Sequence, residues 1–281
     1  MYDDGVDEVS ILARPFEYPA SGQVRTGTLY QVRRTEAPFT VARSIVVVVH
    51  GLFAHRGLRE IDLFCRRLAD AFDVLAVDMR GHGEGPGAFT WGVWEHRDLA
   101  DLIAYLRCLH PAVGVVGFSF GGCVAIFAAA LAGGRSDGAR PDAICTVGTP
   151  AHMDLLGLGF RPVLFARHIG MVLRRRRGRF VPGRPRLGWK RAVDLVGAVS
   201  APLLILHGTR DWLVDPDHAR QLYEAARPPR QIVLIEGGAH AEYLITQDLQ
   251  RIAGPVTGFF AAGLEQRPAP GAGISFTRDR S

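Results

Sequence analysis

Gly117-Phe118-Ser119-Phe120-Gly121 is the segment of this 281-residue chain whose residue types and spacing could most directly do chemistry. A serine with glycine two residues to either side suits a strand-to-helix turn sharp enough to present its hydroxyl alone. Glycines there remove the Cβ atoms that such a turn would drive into its neighbours. The bland alternative is a Gly-rich packing turn. Against it stand a strand before the pentapeptide (VGVVG, Val113–Gly117) and an apolar helix after it (Gly121–Ala132).

A serine hydroxyl is a poor nucleophile without a base, and the base needs an acid to set its tautomer and hold its ring. Downstream, His207-Gly208-Thr209-Arg210-Asp211 puts Asp211 just past the strand Pro202–His207. Gly237-Gly238-Ala239-His240 puts His240 just past the strand Gln231–Glu236, and no other histidine follows that strand. The chain order is then Ser, acid, His, with Ser119, Asp211 and His240 as the candidate catalytic residues. Asp215 and Asp154 stay open as alternative acids, since a loop aspartate is often a turn former. Two backbone N–H donors must hold the oxyanion of a tetrahedral intermediate. Phe120, next after the serine, is one. The second comes from His50-Gly51-Leu52-Phe53, with Leu52 first choice and Phe53 second. His50 itself reads as a packing residue.

These residues need a scaffold. Ser44–Val49 (SIVVVV) is a β-branched run suited to a strand buried on both faces. After it come helix Leu58–Ala71, strand Val74–Asp78, helix Trp91–Leu109, then the strand and helix around Ser119. Strand Ala143–Gly148, strand Pro202–His207, helix Pro216–Ala226, strand Gln231–Glu236 and a helix Asp248–Leu264 interrupted by Pro255 complete the series. Strands alternating with helices imply a mostly parallel sheet flanked by helices, an α/β fold. Val9–Tyr18 and Val24–Arg33, joined at Ser21-Gly22, form an expected antiparallel edge hairpin. The core spans 1–152 and 199–266, the stretch 153–198 is an insertion too long for an ordinary loop, and 267–281 is a flexible tail.

The chain is identified as a member of the α/β-hydrolase superfamily by four landmarks in order. They are the His50-Gly51 loop, Asp78-Met79-Arg80-Gly81-His82-Gly83, the GxSxGG turn at Ser119, and the Asp211/His240 pair. The resemblance, closest to the serine esterase, lipase and aminopeptidase-like branches, runs from about His50 to the last helix. It departs at Gly85, where the family usually has serine. It implies no metal and no redox cofactor, and it gives the Asp78–Gly83 segment a structural role. It also implies that the insertion is a cap over the pocket, with Phe53, Trp91 and Phe165 lining a site for a small-molecule acyl substrate. The expected reaction is hydrolysis of a carboxylic ester or thioester through an acyl-enzyme on Ser119, with peptide or amide cleavage, acyl transfer to an alcohol, or carbon–carbon bond hydrolysis at the same triad as the alternatives. A non-catalytic binding protein keeping the fold is the rival from another class, and the intact triad argues against it.

The net charge of +5 is local. Leu155–Val193 holds eleven Lys and Arg and no Asp or Glu, leaving the rest of the chain at −6. A solvated basic face is the plain reading of that stretch. Adsorption of a basic, apolar cap to anionic lipid, or capture of an acidic ligand such as an acyl-CoA thioester, are the functional ones. Nucleic acid is not expected, because no aromatic-interleaved groove accompanies the charges. Cys65, Cys108, Cys123 and Cys145 lack metal spacing and read as reduced core thiols. With an acidic N-terminal stretch and no apolar run long enough to span a bilayer, a cytoplasmic enzyme is expected.

Overall fold

A computed structural model describes residues 10–33, 43–132, 138–153, 180–183 and 191–264. Eight strands among them form one sheet in the order β1-β2-β4-β3-β5-β6-β7-β8. β1 (Ile11–Ala20) and β2 (Gln23–Val32) make the edge hairpin. Its turn residues Ser21 and Gly22 both have positive φ, as a two-residue type I′ hairpin turn requires. β2 also pairs antiparallel with β4 (Asp73–Val77). The remaining strands, β3 (Ile45–Val49), β5 (Val113–Phe118), β6 (Ala143–Val147), β7 (Leu203–Gly208) and β8 (Arg230–Ile235), are parallel.

Every residue of β3 through β7 is buried. Successive side chains therefore feed two separate cores, as period two dictates. Val47 and Val49 face a layer with α2 (Glu95–Arg107) and α3 (Phe120–Leu131). That layer also takes in α4 (Ala192–Leu195) and α5 (Asp217–Ala225). Val46 and Val48 face α1 (Arg59–Ala69), α6 (Tyr243–Gln247) and α7 (Leu249–Leu264). The register aligns Val49 with Gly117, Phe118 with Val147 and Gly208 with Ile235. The carboxyl ends of β3, β5, β6, β7 and β8 thus share one rim, where open parallel sheets bind ligands.

Several expected details differ. α2 begins at Glu95 rather than Trp91, because the Glu95 carboxylate accepts the N–H groups of Thr90 and Gly92 and holds a turn ahead of the helix. Cys108 is exposed, so only Cys65, Cys123 and Cys145 are core thiols. α7 runs through Pro255 without a break. A proline inside a helix costs about 3 kcal/mol. Burial of Ile252, Ala253, Val256, Phe259, Phe260 and Leu264 along one face outweighs that cost. Of the expected insertion, only residues 153, 180–183 and 191–198 are described, so its basic cluster lies almost entirely outside the described residues. No helix among the described residues is long and apolar enough to cross a membrane.

Candidate active site

Ser119 leaves β5 with φ +48° and ψ −118°, a backbone state that costs a residue bearing a Cβ about 1–3 kcal/mol. Its surroundings hold it there. The Ser119 N–H donates to Val147 O (2.8 Å), while its carbonyl accepts from Gly122 N–H (3.0 Å) and the Thr149 hydroxyl (3.1 Å). At Gly121 a Cβ would lie 2.6 Å from His50 O and closer still to Val49 O, so only glycine lets α3 start this near the end of β3.

His240 Nε2 lies 3.1 Å from Ser119 Oγ, and His240 Nδ1 lies 2.7 Å from Asp211 Oδ2. The Asp211 side chain is fully buried just past β7. Its Oδ1 accepts the N–H groups of Leu213 (2.9 Å) and Val214 (2.8 Å). Its Oδ2 also meets His207 Nε2 at 3.2 Å. Burial works against the charge on Asp211, but the two imidazoles outweigh it and hold the carboxyl well below the usual carboxylate range. Burial likewise opposes an imidazolium at His240. Asp211 and, less strongly, Glu242 overcome it and raise His240 above the ordinary histidine value. Asp215 instead accepts the Asp217 N–H (3.0 Å), a turn-forming contact at the start of α5. Asp154 lies outside the described residues.

The loop after β3 sits against the serine. A Cβ on Gly51 would lie 3.2 Å from Ser119 Cβ. His50 is buried and structural: its Nε2 accepts the Met79 N–H (3.1 Å), which leaves Nδ1 to donate to Gly51 O (2.7 Å). Ala54 N–H donates to the same oxygen (3.1 Å). In a trans peptide the N–H points opposite to the C=O. The Leu52 N–H therefore faces away from His50. Phe120 is the first residue of α3, where an N–H has no intrahelical acceptor.

The sequence model of the alpha/beta hydrolase family matches residues 46–254. The chain belongs to the alpha/beta hydrolase family. It is 26% identical to a pimeloyl-[acyl-carrier protein] methyl ester esterase of Neisseria meningitidis serogroup A over 76% of either chain. Among solved structures, a Pyrococcus furiosus esterase superposes with a TM-score of 0.66 at 18% identity, covering 90% of this chain and 94% of its own. A Xanthomonas campestris serine hydrolase described as lacking a lid gives 0.60 at 17%, covering 91% and 97%. The two solved structures speak for the fold.

In this alpha/beta hydrolase the Asp78–Gly83 segment ties loops together. The Asp78 carboxylate takes the N–H groups of Arg56 (2.7 Å) and Glu84 (3.0 Å) and pairs with the Arg56 guanidinium. The loop closes through Gly85 N–H to His82 O (2.7 Å) and Gly81 N–H to Gly85 O (3.3 Å), with glycine in the family's serine position. Gly81 and Phe89 also bond backbone-to-backbone with Val181 and Gly183 of the expected insertion. This pairing brings Phe180 onto Phe53, with ring centres 4.6 Å apart, and onto His82 at 4.9 Å. Phe89 stacks on both Trp91 (4.9 Å) and Phe120 (5.2 Å). Of the three expected pocket residues, Phe53 and Trp91 therefore flank one aromatic cluster beside the serine, and Phe165 lies outside the described residues. The Trp94 ring meets the guanidiniums of Arg97 (4.3 Å to the ring centre) and Arg80 (5.9 Å).

Sequence reasoning missed Phe89, Phe180, His207 and Glu242. The last two stand in the segments that flagged Asp211 and His240, so their nearness was the available signal. Phe180→Ala is expected to cost roughly 1–2 kcal/mol, less than a fully buried phenylalanine because the ring is only half-buried. Urea unfolding would measure it. Among the described residues no group of three or more His, Cys, Asp or Glu is placed to hold a metal ion.

Proposed function

We propose that this alpha/beta hydrolase cleaves carboxylic esters through an acyl-enzyme on Ser119. The observation that carries the reading is the continuous hydrogen-bonded series Ser119–His240–Asp211 at the end of a strained turn. Ser119 Oγ attacks the ester carbonyl while His240 Nε2 takes its proton. Asp211 fixes the tautomer and stabilises the imidazolium. The N–H groups of Leu52 and Phe120 receive the oxyanion. His240 then gives its proton to the leaving alcohol. Water, deprotonated in turn by His240, attacks the acyl carbonyl and releases the acid and free Ser119.

Ester rather than amide chemistry is favoured by the relatives, one of which is named for hydrolysing an acyl methyl ester. Phe53, Trp91 and Phe180 suit an apolar acyl or aryl group at the site's wall. Cys65, Cys123 and Cys145, buried free thiols, suit the reducing cytoplasm as the place of action.

A fluorophosphonate probe is expected to modify the protein once, with the adduct on the peptide containing Ser119 by mass spectrometry. In parallel, p-nitrophenyl esters of increasing acyl length should turn over faster than matched amides and acyl-CoA thioesters. An unlabelled Ser119, or amides cleaved faster than esters, would sink the reading.

A further inference from the structure

We propose that Glu242, two residues along the chain from the catalytic base, is a positioning residue whose carboxylate locks the oxyanion loop behind Ser119. The inference rests on the serine hydrolase reading above. Glu242 comes two residues after His240 and is 8% exposed. Its Oε1 accepts the Gly51 N–H at 2.6 Å, a contact 191 residues apart in sequence. A charge-assisted bond of this length is about twice as strong as a neutral one.

The packing leaves the loop no other seat. A Cβ on Gly51 would lie 2.8 Å from Glu242 Oε1 and 3.2 Å from Ser119 Cβ, so Gly51 fills the space between carboxylate and nucleophile. Its carbonyl is taken by His50 and Ala54. With the N–H held by Glu242 and the C=O held by His50, both peptide planes around Gly51 are fixed. The N–H that follows, on Leu52, is thereby aimed before substrate arrives. Preorganised donors of this kind lower the barrier because nothing has to reorganise as charge develops.

The same carboxylate acts on the base. Among the described residues, the charged and titratable groups facing His240 are Asp211 beyond β7, with His207 behind it, Glu242 in its own turn, and Ser119 beyond β5. Trp212 covers the ring edge, 6.2 Å between centres. Two carboxylates therefore favour the imidazolium that forms when Ser119 attacks. His240 must be neutral to act as base, so the rate falls as pH drops through its raised pKa. Removing the Glu242 charge should move that fall to lower pH.

The test compares Glu242→Gln and Glu242→Ala with the unmodified protein. The measurements are p-nitrophenyl ester turnover and the fluorophosphonate labelling rate across pH, with Tm as a control on folding. The alanine variant is expected to lose roughly 10- to 100-fold in kcat with KM little changed, since the loop loses its anchor. The glutamine variant keeps an acceptor for Gly51 and should recover to within a few-fold of the unmodified kcat. Its acid limb should lie at lower pH. If the alanine variant does not fold, the glutamine pH profile decides alone. An alanine kcat within two-fold of the unmodified protein, or a glutamine profile with an unmoved acid limb, overturns the role of Glu242. These failures are distinct from failure of the parent reading, which is marked by an unmodified protein that the probe does not label at all.

Discussion

Asp211→Asn is expected to cut kcat by about 10⁴-fold while leaving the fold in place. The size follows from how the carboxylate is held. Oδ1 already accepts two backbone N–H groups, from Leu213 and Val214. An asparagine would keep those bonds by turning its single oxygen the same way. Its NH₂ would then replace Oδ2 and point a donor at His240 Nδ1, 2.7 Å away in the parent. The imidazole could answer only by taking the tautomer with its proton on Nε2, which cannot accept a proton from Ser119. The NH₂ would also face His207 Nε2 at the 3.2 Å site, where a donor now meets the carboxylate. Steady-state kinetics with a p-nitrophenyl ester, beside a thermal melt, would measure both parts. A kcat within ten-fold of the parent would mean that Asp211 does not set the tautomer of His240.

How far this site could be read in advance depended on how local its determinants are. Ser119 directly follows the buried β5, Asp211 stands three residues past the buried β7 and His240 five residues past the edge strand β8. A run such as VGVVG or PLLILH announces both the strand and the rim that its carboxyl end must reach. The parallel fold was legible from the same alternation. What escaped depends on contacts between distant segments. Phe180 enters the site only because its neighbour Val181 pairs with Gly81 and Phe89 across about a hundred residues, through a bridge too short to leave a strand pattern. Glu242 reads as an ordinary polar residue of a short helix entry until Gly51 is found against it. His207 looks like the end of a buried strand, and its ring gains meaning only when Asp211 turns back beneath it. Pro255 misled in the opposite sense. Its local preference was plain, and the apolar face of α7 overrode it.

Gly121→Ala should damage stability and catalysis together, because one added methyl strikes the point where the two halves of the proposed oxyanion site touch. The new Cβ would press on Val49 O and lie 2.6 Å from His50 O. Both are backbone atoms of β3 and its loop, with no flexible side chain to give way. Overpacking of a well-packed site typically costs 1–3 kcal/mol, and this contact should reach the upper end, about 3 kcal/mol. Either α3 must slide back, carrying Phe120 and Ser119 with it, or the His50-Gly51 loop must lift from the serine. Each movement would part the proposed donors, the Leu52 and Phe120 N–H groups, from a common oxyanion. A displacement near 1 Å at a reacting centre costs roughly 100-fold in rate, so kcat should fall by about that factor with KM changed much less. Urea unfolding and ester kinetics on the same preparation separate the two effects. A variant as stable and as fast as the parent would mean that the elbow does not brace the oxyanion loop, and that the two donors are positioned independently.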